Sequence, residues 1–337
     1  MPKFSIILPV RNGSNYIKEC IESILTQTYP HFELLILENV STDDTVEIIN
    51  SFNDERIKII PAEKPLNIEE NWARALHVPK AEFMTLIGHD DILKPNFLET
   101  INGLIEKHPD ATLYHTHFNF IDSKGKIVRA CKSMEAIQTP KQVIENYVGL
   151  KADLMGTGFI MRSKDYDEIG GMPMYRSLLF ADMELIIELA RLGYMVVSPK
   201  ECFSYRIHKA ATTSSTSIIN YIKGFEAFIS YLSELKSKCR DRKIINAIET
   251  SASIFLDKAG QNIVFKILHK PKTIRDIPNM NATINRLREY GRNFCDENCY
   301  EPLNNKKIRL AKTIYDNGFL HKIFLLLRKV YHKPVFK

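Results

Sequence analysis

An α/β fold followed by a smaller all-helical region is what the sequence predicts, on three observations. Short apolar runs recur through the first ninety or so positions without polar alternation, as in strands buried on both faces. Segments with helical spacing separate them, and such alternation implies parallel strands with helices packed on both sides. Beyond residue 215 the strand signal stops and long helical stripes take over.

In chain order, residues 4–10 read as a buried strand, and 15–28 as a helix with Ile17, Ile21, Ile24 and Leu25 on one face. Residues 32–37 are a second strand, 43–52 a helix capped by Ser41 or Thr42, and 57–60 a third strand. A helix over 71–77 precedes a fourth strand over 83–87. Past Asp91 the pattern becomes mixed. Residues 112–120 alternate like a strand, and 122–126 form a hairpin turn into Ile127 and Val128. A helix over 140–147 is followed by a loop feeding a strand over 156–161, then by a helix over 182–192 that Gly193 stops. Strands over 194–198 and 203–207 complete the sheet. Ile218, Ile222, Phe225, Ile229 and Leu232 then form one helical stripe, which sets a boundary near Ser215 and divides the chain into 1–215 and 216–337.

Composition narrows the function classes. The 337 residues carry 46 Lys and Arg against 40 Asp and Glu, a net charge of +6 that suits an anionic substrate or membrane surface. No basic arm or aromatic-basic repeat points to nucleic acid. The six cysteines are scattered without a C-x-x-C pair, and the N-terminus has no signal-type apolar core, so a reducing cytoplasm is expected. No apolar run reaches the roughly 20 residues of a membrane-spanning helix.

In a parallel α/β sheet, ligands bind beyond the carboxyl ends of the strands. Pro9, Val10, Arg11 and Asn12, then Glu38 and Asn39, then His89, Asp90 and Asp91 all stand at such ends, so three segments converge on one crevice. Two adjacent carboxylates at a strand end repel unless a cation or hydrogen-bond donors face them, which makes Asp90 and Asp91 a candidate divalent-metal site able to hold a diphosphate. The plain alternative is a helix cap or a solvated turn.

An ordered set of motifs resembles the family 2 glycosyltransferases, nucleotide-sugar enzymes of the GT-A fold, over about residues 3–215. It comprises Phe4 to Asn12, Ser23 to Tyr29, Glu33 to Thr45, Asn67 through Asn71 and Trp72, Phe83 to Leu93, Ala181-Asp182, Gly193-Tyr194 and Tyr205-Arg206-Ile207-His208. The resemblance implies a GT-A, Rossmann-like nucleotide-binding domain with a mixed sheet, ahead of the helical region. It further implies that Pro9, Val10, Arg11, Asn12, Glu38, Asn39, Asn67, Asn71 and Asp90 bind the nucleotide-sugar. Asp91 and His208 would hold a divalent metal, Mn²⁺ or Mg²⁺, and Asp182 would be the base of an inverting, single-displacement transfer. A UDP-sugar is the expected donor, a glycan or lipid-linked saccharide the acceptor, and bacterial surface polysaccharide the setting. Two departures stand out. Glu38-Asn39-Val40 replaces the usual Asp-Asp-Gly, and Ala181 stands where the family often has Glu.

Each residue also has a simpler role open to it. Asp182 can be a helix cap, His208 a surface or core histidine, Glu38 a cap for the next helix, and Trp72 a core residue. Asp43 and Asp44 suit a helix start, and Asp153 the surface. Two other function classes remain: a glycoside hydrolase with Asp91 and Asp182 as paired carboxylates, and a non-catalytic nucleotide-sugar-binding module. The tail over 317–337 sets Phe319, Leu320, Ile323, Phe324, Leu326, Leu327, Val330 and Tyr331 against Lys322, Arg328, Lys329, His332, Lys333 and Lys337. That pattern suits a peripheral membrane helix, docking on the helical region, or an oligomer contact.

Overall fold

The computed structural model describes residues 1–153, 155–208, 216–272, 277–294 and 300–330. It divides into two compact units, residues 1–147 with 151–215 and residues 148–150 with 216–337.

The first unit is built on one sheet. Its strands are β1 (Phe4–Val10), β2 (Phe32–Glu38), β3 (Ile57–Pro61), β4 (Phe83–Leu86), β5 (Ile92–Leu93), β6 (Leu113–Ile121), β7 (Ile127–Ala130), β8 (Ile137–Gln138), β9 (Ile160–Arg162) and β10 (Met195–Arg206). They lie in the order β3-β2-β1-β4-β9-β6-β10-β5, with β7 on β6 and β8 on β10. β1 to β4 are parallel, whereas β9 runs antiparallel between β4 and β6. The sheet is therefore mixed, as expected. Every residue of β1 and β2 is buried, which explains their unbroken apolar runs.

Helices α1 (Ile17–Leu25), α2 (Thr45–Asn50), α3 (Ile68–Ala73), α4 (Phe97–Lys107), α5 (Pro140–Tyr147), α6 (Ser163–Glu168) and α7 (Ala181–Arg191) connect these strands. Four details differ from the sequence expectation. α3 begins at Ile68 rather than Asn71, because Asn67 and Glu70 form a capping box in which each side chain accepts from the other's backbone N–H. α2 takes Asp44, not Ser41 or Thr42, at its cap position. The two strands expected on either side of Pro199 are one strand, β10, whose register shifts between Ser198 and Phe203; proline is tolerated where pairing slips. α4 had no counterpart in the sequence reading, although Phe97, Leu98, Ile101 and Ile105 fall on one buried face.

The second unit contains α8 (Ile218–Lys238), α9 (Arg242–Leu268), α10 (Met280–Arg292), α11 (Lys306–Asp316) and α12 (Gly318–Val330). Ser217, Asp241, Asn279 and Asn305 each cap the N-terminus of the helix that follows, accepting from its free N–H groups. The buried stripe of α8 keeps the expected Phe225, Ile229 and Leu232, with Tyr221 and Phe228 buried in place of Ile218 and Ile222. Residues 331–337 of the expected tail lie outside the described residues. Among the described residues, no helix is long and apolar enough to cross a membrane.

Two strand ends hold strained backbone. Asn12 after β1 and Val40 after β2 have φ of 53° and 50°. Asparagine adopts this left-handed region readily, but a β-branched side chain crowds the following carbonyl there. Val40 occupies the position where the motif usually has glycine. Val40→Gly should therefore raise the free energy of unfolding by about 1 kcal/mol, the left-handed strain relieved less the entropy a glycine adds to the unfolded chain. Urea unfolding checks this, with a higher midpoint expected for the variant.

Candidate active site

The loops after β1 and β2 are stitched into one wall. Val10 O accepts from Asn39 N at 3.0 Å, and Asn12 N donates to Ser41 Oγ at 3.0 Å. Asn12 Oδ1 accepts from Thr42 N at 2.8 Å, and Gly13 N donates to Thr45 Oγ1 at 2.7 Å. Asp43 joins both loops by accepting from Ser14 N and from Thr45 N and Oγ1. Burial opposes ionisation there, but the donated hydrogen bonds outweigh it and hold the carboxyl at about 2. The helix-start role expected of Asp43 misses this tie between loops.

Several expected binding residues spend their polar groups on the scaffold. The Glu38 carboxylate turns back to accept from Val40 N at 3.0 Å and Ser41 N at 2.7 Å. The Asn39 amide is doubly bonded to the Leu66 backbone, and Arg11 Nη1 reaches Leu66 O at 3.4 Å. Asn71 Nδ2 lies 3.4 Å from Leu37 O, while its Oδ1 accepts from Arg74. Arg74 also donates to Glu38 O and Ile60 O, clamping the ends of β2 and β3. Pro9 and Val10 lie inside β1. Together these residues tie the ends of β1, β2 and β3 to one another.

Asp90 and Asp91 diverge in environment. Asp91 is 1% exposed. Its Oδ2 accepts from Thr157 Oγ1 at 2.7 Å and its Oδ1 from Arg206 N at 3.0 Å. Burial, with the neighbouring Asp90 charge, raises its pKa in spite of those donors. Asp90 points the other way, with Oδ2 2.8 Å from His208 Nε2. Gly88 permits this turn, since a Cβ there would sit 2.7 Å from Asp90 Oδ1. The buried Arg206 guanidinium fixes the turn from the β10 side. It donates to Asp90 O at 2.7 Å, Asp122 O at 3.2 Å and Glu19 Oε2 at 2.6 Å, and lies over the Tyr16 ring at 4.7 Å. Tyr16 also borders His208, with ring centroids 5.0 Å apart.

Residues 156–158 connect this turn to Asp182. A Cβ on Gly156 would lie 3.6 Å from Asp182 Oδ2, so that backbone lies against the carboxylate. Thr157 bonds Asp91, and Gly158, at φ +78°, presents its carbonyl to His115 Nδ1 at 2.8 Å. Asp182 stands in the first turn of α7, after Phe180 at φ 68°. The cap position belongs to Phe180, so Asp182 is not the helix cap. Leu86, Phe159, Met161, Leu185, Ile186 and Leu189 line a cavity of about 10 Å³ behind it, room for a single water. Burial in that apolar setting raises the Asp182 carboxyl to about 6, with the Met183 N–H pulling the other way.

Among the described residues no three His, Cys, Asp or Glu side chains gather as a metal cage. Asp90 with His208 offers a carboxylate and an imidazole, which fits a hard divalent ion that draws its other ligands from phosphate and water. Thr157 and Arg74 escaped the sequence reading, and Arg206 entered it only as a neighbour of His208. A threonine between two glycines, and arginines near strand ends, carry little signal alone. Of the other candidates, Asp153 pairs with Arg129 at 2.8 Å, and Trp72 is half-buried on α3.

The model of the family described as glycosyl transferase family 2 matches residues 5–170. The glycosyltransferase GlyG of Streptococcus pneumoniae is 29% identical over 123 residues, 36% of this chain and 41% of that relative. The chain thus aligns with less than half of GlyG's length. Among solved structures, Staphylococcus aureus TarS 1–349 superposes with a TM-score of 0.61 at 15% identity, covering 94% of this chain and 92% of TarS 1–349; its complex with UDP-GlcNAc gives 0.56. The mannosyltransferase PcManGT of Pyrobaculum calidifontis, in complex with GDP-Man and Mn²⁺, gives 0.56 at 14% identity, covering 97% and 88%. At such identities the structural likeness is one of fold.

The Thr157 hydroxyl is the one side-chain donor to Asp91 among the described residues. Thr157→Val keeps the shape and removes that donor from a buried carboxylate, so it should lower stability by about 1–3 kcal/mol. Thr157→Ser should lose much less. Paired urea unfolding curves separate the two variants.

Proposed function

The chain belongs to glycosyl transferase family 2 through residues 5–170, and we propose that it moves a sugar from a nucleoside diphosphate, foremost UDP, onto a glycan or lipid-linked saccharide with inversion at the anomeric carbon. Membership makes it an enzyme of glycosyl transfer, which decides against the hydrolase and the non-catalytic module. The observation that carries the proposal is the 156–158 segment, which touches Asp182 with one residue and bonds Asp91 with the next. That link between Asp182 and Asp91 supports a base and a diphosphate turn at a common place, as a single displacement needs.

In this reading the nucleotide end of the donor rests on the wall built by Pro9, Val10, Arg11, Asn12, Glu38, Asn39, Asn67 and Asn71. Asp90 binds the ribose or sugar, beside the diphosphate. A divalent ion, Mn²⁺ or Mg²⁺, would be held by Asp90 and His208, since both Asp91 oxygens already accept from Thr157 and Arg206, and when bound supplies positive charge against the departing diphosphate. Asp182 takes the proton of the acceptor hydroxyl as its oxygen bonds to the anomeric carbon. The carbon–oxygen bond to the diphosphate breaks at the same time, and its electron pair leaves with the phosphate. A carboxyl raised to about 6 suits this task, because it is ionised at neutral pH yet a stronger base than a solvated aspartate. Support for the donor class comes from TarS, solved with UDP-GlcNAc, and PcManGT, solved with GDP-Man and Mn²⁺. Assembly of a bacterial surface polysaccharide is the setting we favour.

Asp182→Asn should cut turnover about 10²- to 10⁴-fold while leaving donor affinity unchanged. The wild-type rate should rise with pH to a plateau above about 6, and the variant should lose that rise. Stability should move the opposite way. The folded pKa lies above the unfolded value of 3.8, so the stability linked to this group is full below 3.8 and lost as pH rises through about 6. At pH 7.5 the Asn variant should therefore melt no lower than wild type. Near-normal turnover by Asp182→Asn in a screen of UDP-, GDP-, CMP- and dTDP-sugars with Mn²⁺ would refute the assignment.

A further inference from the structure

We propose that α12, with the basic face of α11 before it, is a docking surface for an anionic lipid bilayer. α12 has two opposite faces. Inward, His321 Nε2 lies 2.8 Å from Leu268 O, the Phe324 ring stacks on His269 at 5.4 Å, and Arg328 Nη1 donates to His269 O at 3.0 Å. These residues, spaced by three and four, fix the helix to the end of α9. Outward, Phe319, Leu320, Ile323, Leu326 and Leu327 follow the same period on the other side and are 72%, 41%, 37%, 62% and 53% exposed.

A helix already anchored by one face has no need of a second apolar face for its own folding. Five large side chains in one exposed stripe form a contiguous patch, not the scattered apolar residues of an ordinary surface. Charge decides the occupant. Residues 306–330 hold seven Lys and Arg against one acidic residue, Asp316, which is paired with Lys312. Such an excess repels a second copy of the same face and attracts anionic headgroups. Leu310, 57% exposed among Lys306, Lys307, Arg309 and Lys312, extends the same character onto α11. With no described helix able to cross a bilayer, the geometry is that of a helix lying in the interface. This inference does not depend on the transfer reaction.

The test uses the full chain and vesicles of phosphatidylglycerol with phosphatidylcholine, against phosphatidylcholine alone, in a sedimentation assay. The expected result is binding to the anionic vesicles only, weakening as salt rises because the attraction is screened. Leu326→Asp with Leu327→Asp should weaken it by about tenfold or more while the melting temperature holds, since both side chains lie in solvent. If that variant fails to fold, the lipid and salt dependence of the wild-type chain decides alone. Absence of wild-type binding to anionic vesicles at low salt would overturn the proposal. So would a dimer by light scattering that the double variant converts to monomer.

Discussion

A carboxylate that is almost wholly out of water governs the active-site end of the sheet. Burying an ionised group costs several kcal/mol unless its oxygens are met by donors. For Asp91 those donors are Thr157 Oγ1 and Arg206 N, from two distant segments. The first pins the 156–158 loop, and with it the backbone against Asp182. The second pins the end of β10, and so the approach of His208 to Asp90. Both contacts would be lost if Asp91 turned outward.

The charges around this knot are arranged so that each does one task. Asp43 is held ionised by three donated hydrogen bonds and closes the loops after β1 and β2. Asp182, buried among apolar neighbours that outweigh its backbone donors, keeps a raised pKa and an affinity for protons. Positive φ angles occur at Asn12 and Val40, just past the ends of β1 and β2, and at Phe180, just before α7. Strain and a costly carboxylate at one site, within a well-buried sheet, are what a functional site looks like when stability is given up locally.

The strands were the most legible part of the chain, because buried parallel strands write themselves as unbroken apolar runs. β1, β2 and β4 were read closely for this reason, and their carboxyl ends delivered the crevice. Legibility failed at one local signal and at one pairing between strands. The Asn67–Glu70 capping box moved the start of α3, and the register shift around Pro199 joined two expected strands into one. Pairing the right residues also failed locally. The Glu38 carboxylate turns onto Val40 and Ser41 rather than onto the helix that follows, and Asp43, expected at a helix start, accepts from the first residue of α2 and also ties the two loops together. Thr157 carried no signal, since nothing in its neighbours foretells a partner 66 positions away.

The arrangement is tested most directly by a crystal structure of the protein with a UDP-sugar and Mn²⁺. The account predicts the diphosphate beside Asp90 and His208, with the anomeric carbon between it and the Asp182 carboxylate. A nucleotide bound away from the β1, β2 and β4 ends, or a sugar whose open face points away from Asp182, would contradict it.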